Sequence, residues 1–261
     1  MEPTVRAHRH WITTLAVATI LLVGASALPA RAAAAAESKD GWEFDIVPYL
    51  WGAGLEGNVK IGRVPATSVE ASFLDLWDYL NIGGMAAFEA RKDDWGVLID
   101  GIYIDLEDSV PTPDPAFGGV NASMSQQLYS GLITYRICNA HNTTVDLGWG
   151  TRYYRIDTDL ELTPGIAQGR TASANVDWWD WLAGVRVVGH PSKRWSLSGY
   201  ADIGGGGSQM TWEAIAGADF AFNKTVSLAF GYRYLSIDYD ENRFLYDVSM
   251  QGPYLGLGFH F

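Results

Sequence analysis

From residue 42 to the end of the chain, apolar and polar residues alternate with a period of two, the spacing of a strand with two unlike faces. Ten such stretches can be marked: 42–55, 81–91, 95–107, 123–137, 143–156, 173–188, 195–205, 210–222, 225–237 and 246–261. In 143–156, for example, Val145, Leu147, Trp149 and Tyr153 oppose Asp146, Gly148, Gly150 and Arg152. The last stretch puts Leu255, Leu257, Phe259 and Phe261 on one face and Tyr254, Gly256, Gly258 and His260 on the other. One segment departs from this spacing. Phe73, Leu76, Trp77 and Leu80 recur at helical intervals behind a candidate Ser72 cap, which predicts a short helix on the rim or in the mouth of whatever the strands build.

The connections sort by length. Residues 56–80, 108–122, 157–172 and 238–245 form long links, whereas 92–94, 138–142, 189–194 and 223–224 are short. The two kinds alternate, apart from the short Gly205–Gln209 where a long link is due. That sidedness predicts an all-β fold: a closed antiparallel up-and-down transmembrane β-barrel of ten strands, with eight or twelve as the alternatives. The strands match or exceed the roughly 9–11 tilted residues that cross a bilayer. An even count leaves both ends of the barrel on one side. A soluble sandwich would bury its apolar faces too, but nothing would sort its loops by length. Trp42, Trp95, Trp179, Trp181, Trp212, Tyr153, Tyr232 and Tyr234 fall near strand ends or on outward faces, where aromatic girdles form.

The ending from Tyr254 to Phe261 resembles the C-terminal signal of bacterial outer-membrane β-barrel proteins, which finish on an aromatic residue after alternating apolar positions. Glycines beside aromatics, as in Tyr49–Gly54, Gly148-Trp-Gly150 and Gly231-Tyr232, are also typical of such barrels. The likeness is to the small porin-like and surface-antigen-like members. It implies an outer-membrane location and handling by a barrel-assembly machinery through Tyr254, Leu255, Leu257, Phe259 and Phe261. It also implies lipid and lipopolysaccharide as surroundings. The start of the chain agrees. Arg6 and Arg9 precede an apolar run from Trp11 to Leu28, and Ala30-Arg31-Ala32 offers a cleavage site. The expected organisation is a secretory signal peptide over 1–36 and a barrel over 37–261.

Composition narrows the partners. The 261 residues carry a formal charge of −12, and removing Arg6, Arg9, Arg31 and Glu2 with the leader leaves 15 basic and 29 acidic residues. Nucleic acid is therefore not an expected partner. The single cysteine, Cys138, excludes an internal disulfide framework. In the strand registers above, the inward face collects Glu43, Asp45, Glu89, Arg91, Asp100, Arg136, Asp146, Arg152, Asp180, Arg186, Asp202, Glu213, Asp219 and Arg233. No lysine joins them. Lys39, Lys60, Lys92, Lys193 and Lys224 all lie in the leader, links or turns. Arg suits bidentate pairing with carboxylates in a confined space, so an Arg–carboxylate network filling a narrow lumen is expected. If a pathway exists, the surplus of acids favours cations.

Three functions compete. The first is an integral barrel of structural or passive-transport, porin-like type. The second is a surface binding or adhesion barrel acting on a surface ligand through acidic outer loops, among them Asp157-x-Asp159-x-Glu161 and Asp238-x-Asp240-Glu241. These spacings could hold a hard cation, but no full calcium-loop pattern occurs and solvated acids are expected. The third, an outer-membrane hydrolase, has little support. His141, His190 and His260 all map to the periplasmic end, and the chain has no G-x-S-x-G, H-E-x-x-H or P-loop. No enzyme activity, cofactor or resident metal is expected.

Overall fold

The computed structural model describes residues 41–61, 66–110, 117–140, 142–164, 169–241 and 244–261. The leader expected over 1–36 lies outside them, as does His141.

The chain opens with β1 (Glu43–Trp51), the hairpin β2 (Gly54–Ile61) and β3 (Thr67–Ala71), and helix α1 (Phe73–Trp77). Strands β4 (Leu80–Lys92), β5 (Trp95–Val110), β6 (Phe117–Ala140), β7 (Thr143–Pro164) and β8 (Arg170–Ser192) follow. Then come β9 (Trp195–Gly206), β10 (Met210–Ala221), β11 (Val226–Glu241) and β12 (Phe244–His260). Each strand from β4 to β12 pairs antiparallel with the next, β4 pairs back onto β1, and β1 pairs with β12. Ten strands thus close into a barrel. The other two, β2 and β3, extend the sheet above β1: β2 takes over from β1 along the upper half of β12, with Gly54 opposite Gln251 and Ile61 opposite Phe244. β3 folds back on β2. The tight turns below include Asp93 and Asn142 in the left-handed region, φ 53° and 63°, which a short polar side chain tolerates.

Large apolar side chains are left outside. Ile46, Leu50, Ile99, Ile133, Trp149, Trp179, Trp181, Leu197, Ile203, Tyr232, Leu255 and Leu257 are exposed. In water such a band would be untenable for a lone chain. In a bilayer it is the outer wall of a barrel whose strands pair right round the ring up to the height of Pro48 on β1.

Three long links of the sequence analysis are largely strand: 238–245 divides between β11, which runs to Glu241, and β12, which starts at Phe244, and two others change more. Residues 108–110 and 117–122 extend β5 and β6, and 157–164 and 170–172 extend β7 and β8. β6 and β7 reach 24 and 22 residues, about twice what a bilayer requires. The reason is visible on the outward face. On β7, Leu147, Trp149 and Tyr153 give way to Arg155, Asp157, Asp159 and Glu161; on β6, Tyr129 and Ile133 give way upward to Gln127, Ser125, Ser123 and Asn121. Above that change the strands stand in water and still pair. The inward face changes in the opposite sense, to Leu128, Met124 and Ala122 on β6 and to Tyr154 and Ile156 on β7, all buried. β9 stops at Gly206, so the upper wall divides into two facing sheets, β5–β8 and β11–β12–β2–β3. They enclose an apolar core with Ile104, Leu106, Met124, Ile156, Ile237, Val248, Met250 and Val59.

The predicted helix forms, but over Phe73–Trp77 only; Leu80 belongs to β4. Ser72 caps it in a reciprocal box. Its hydroxyl and amide both donate to Asp75 Oδ2, at 2.6 and 2.9 Å, and Asp75 N–H donates back to Ser72 Oγ at 3.3 Å. These bonds favour the ionised carboxylate and hold the Asp75 pKa below its ordinary value.

Candidate functional site

Every residue expected in the lumen is on the inner face, and most are paired across it. The lower cluster joins β4, β6, β7 and β8. Arg186 donates to both oxygens of Glu89 at 2.8 and 2.7 Å and to Asp146 at 2.8 Å. Arg91 bonds Glu89 at 3.0 Å, Asp146 at 3.0 Å and Thr134 at 3.3 Å. Arg136, half-buried, reaches Asp146 Oδ1 at 2.9 Å. Because β4 and β8 lie on opposite sides of the ring, the Glu89–Arg186 fork spans the lumen at that height.

The upper cluster sits behind the outer aromatic girdle. Arg152 donates to Asp202 at 2.6 Å, Glu213 at 2.5 Å and Ser130 at 2.9 Å. Tyr200 donates to Asp202 at 2.7 Å and Tyr49 to Asp100 at 2.9 Å. Arg233 is fully buried between Glu213, 2.6 Å away, and Asp100, 3.9 Å away, with its guanidinium 5.5 Å from the centre of the Trp51 ring. Its short approach to Glu213 is an ion pair by distance without hydrogen-bond alignment. The two clusters together hold Arg91, Arg136, Arg152, Arg186 and Arg233 against Glu89, Asp100, Asp146, Asp202 and Glu213, a balanced set. The acid surplus resides elsewhere: Asp180 accepts from Ser208 at 2.6 and 2.7 Å, Asp45 meets His260, and Asp219 Oδ1 has no hydrogen-bond partner among the described residues.

Above the clusters the interior is aromatic. Trp178 stacks on Tyr154 at 4.7 Å and on Tyr239 at 4.1 Å, bridging β7, β8 and β11. Gln126 donates to Tyr246 at 3.2 Å, tying β6 to β12 across the ring. The sequence analysis placed Trp179 and Trp181 outward, where they are, and did not pick out Trp178. Its parity with Asp180 was the signal.

At the lower rim a further chain of contacts crosses the closing seam. Asp45 of β1 and His260 Nδ1 of β12 are 2.5 Å apart, and His260 Nε2 shares a hydrogen bond with Ser227 Oγ of β11 at 2.9 Å. The three residue types and their order are those of a hydrolase triad. The setting differs: Ser227 is wholly buried, packed over Gly258, where any side chain would strike its hydroxyl. His190 shares a hydrogen bond with Ser196 Oγ at 3.0 Å. Among the described residues, no three His, Cys, Asp or Glu side chains converge as a metal site, the Asp157–Glu161 and Asp238–Glu241 runs included. Asp157 instead pairs with Arg155 at 2.7 Å.

Comparison with known proteins yields likenesses of shape only. No protein-family model and no curated protein matches the sequence. Among solved structures, the outer-membrane protease OmpT from Escherichia coli is similar at 8% identity and TM-score 0.49, over 86% of this chain and 98% of that one. The attachment invasion locus protein Ail of Yersinia pestis is similar at 12% identity and TM-score 0.34, over 85% and 99%. The Pseudomonas putida toluene transporter TodX is similar at 11% identity and TM-score 0.35, over 85% and 90%. The ring closed between β1 and β12 and the exposed apolar band are this chain's own, and they give it the fold of a bacterial outer-membrane β-barrel.

Proposed function

We propose that the protein is an integral outer-membrane barrel with a closed lumen, structural in its membrane part, whose contacts with partners are made by the acidic walls that rise above the bilayer. The observation that carries this reading is the Glu89–Arg186–Asp146–Arg91 cluster spanning the ring beneath the apolar upper core. A hydrated solute would have to break a buried ion network and then cross hydrocarbon-like packing. Within the two ion clusters the charges balance, five against five, which leaves neither cluster with a net field to draw an ion in. The acids on the outer faces of β7 and β11, Asp157, Asp159, Glu161, Asp238 and Asp240, suit a cationic surface ligand.

No catalytic role is assigned. Asp45, His260 and Ser227 tie three strands at the seam where the chain's first and last strands meet, which accounts for them without a substrate. Lipopolysaccharide and membrane lipid are the proposed surroundings, and the strand ending at Phe261 the element read by the assembly machinery.

Reconstitution in planar bilayers tests the closed lumen: the wild type is expected to give no steady conductance. A stable open-channel current, of either ion preference, would restore the porin-like reading and overturn this one.

A further inference from the structure

β1 and β4 are paired from Glu43–Arg91 up to Pro48–Ala86 and then part. Pro48 has no N–H to extend the ladder. Above it β1 runs on beside β12, while β4 from Met85 to Leu80 pairs, among the described residues, only with β5. The wall therefore forks. α1 sits at the fork's upper end: Phe73 lies against Gly52, Leu76 is buried in the core, and Leu74 and Trp77 are 73% and 51% exposed.

The height of the fork follows from the register. Ala86 is opposite Gly101 and Gly84 opposite Tyr103 on β5. Tyr103 is the last large apolar residue on that strand's outer face before Asp105 and Glu107. The opening thus lies in the outer leaflet, continuous with the lipid-facing band. Its flanks are apolar and open: Leu50 and Ile82 are exposed, and nothing lies within 4 Å of where a Gly84 side chain would begin. Gly83 has the inward parity of the buried Ala87, yet it too is exposed. The inner face is accessible there from the side.

We propose that this fork is a lateral binding site for an amphiphile, with one hydrocarbon chain entering between β1 and β4 and an uncharged hydroxyl, ester or amide end on the free edge of β4. Strand edges are not left bare in hydrocarbon, because each unmatched peptide group there costs several kcal/mol. An occupant bearing both a chain and a neutral hydrogen-bonding group satisfies the groove and the edge together. Asp75 and Asp78 at α1 disfavour an anionic head at this position. The site needs no conduction through the lumen, so it stands or falls separately from the closed-lumen reading.

The test uses the full chain carrying Cys138→Ser, with a bimane fluorophore on Gly83→Cys, in vesicles of phosphatidylcholine with brominated acyl chains. Ile203→Cys on the lipid-facing band and Ser173→Cys above the bilayer are the references. Bromine quenches on contact. Quenching at Gly83 approaching that at Ile203, several-fold above Ser173, and lowered by Gly84→Phe, is the expected result. A second arm replaces the brominated lipid with brominated dodecanol in unlabelled vesicles, and separates a membrane lipid from a free amphiphile as occupant; quenching in either arm supports the site. Quenching no greater than at Ser173 in both arms, or unaffected by Gly84→Phe, overturns it. If Gly83→Cys does not fold, Met85→Cys takes its place with the same outcomes.

Discussion

The membrane ring and the wall above it are built from the same strands turned inside out. Low on β7, the inner face carries Asp146 and Arg152 and the outer face Leu147, Trp149 and Tyr153. Higher on the same strand the inner face is Tyr154 and Ile156, and the outer face Arg155, Asp157 and Asp159. The alternation never breaks. What reverses is the solvent, from lipid outside an ion-filled ring to water outside an apolar sandwich. Holding the lower region together thus depends on matched charges, and holding the upper region depends on packed rings and aliphatic chains.

The largest effect should come from the ring. Arg186→Ala leaves Arg91 as the one cation still shared by Glu89 and Asp146, and losing one member of a buried network costs about 3–5 kcal/mol. Urea titration in detergent should show the drop. By comparison Arg155→Ala, on the wet outer face, should change stability by no more than about 1 kcal/mol. Equal effects would mean that the two regions do not differ as described.

Trp178→Ala probes the other half. Truncating a buried tryptophan costs roughly 3 kcal/mol or more, and here the loss should stay local. Limited proteolysis should cut the upper strands while the folded and boiled forms still migrate apart on a gel. His260→Ala should cost about 1–3 kcal/mol, the penalty for leaving the buried Asp45 and Ser227 without their link, seen as a lower unfolding midpoint with an unchanged surface. A fluorophosphonate probe should leave Ser227 unlabelled; labelling there would make the seam triad catalytic.

The smallest effect belongs to α1. Ser72→Ala should weaken the helix by about 1 kcal/mol, read as faster amide exchange over residues 72–78. Because the folded Asp75 pKa is depressed, the cap's contribution is complete above the ordinary carboxylate pKa and is lost as pH falls through the folded value. In wild type, the protection of 72–78, taken relative to the intrinsic exchange rate at each pH, should therefore fall only in acid, and Ser72→Ala should remove that dependence.

The ring was legible from sequence because lipid enforces a simple rule. Every second side chain must be apolar, which identified Leu255, Leu257 and Phe259 outside and Glu89, Arg152 and Arg233 inside. Who pairs with whom was not legible, since Glu89 meets Arg186 across the lumen at a separation that no local pattern encodes. The upper wall was missed for a different reason. Asp157, Asp159 and Glu161 read as loop acids although a strand in water carries such residues, and Leu160 and Leu162, alternating with them, were the overlooked sign of a continuing ladder. The β2–β3 hairpin was hidden likewise by Gly54, Gly57 and Lys60, poor strand formers that β12 nevertheless pairs.

One strand serves both regions. β12 lies against β11 along its length, against β1 below Tyr254 and against β2 above Gln251. Of the twelve strands it comes last in the chain, while two of its three neighbours come first. Neither the ring nor the sandwich can therefore close before β12 is in place, so that one late, long-range pairing event commits both halves together.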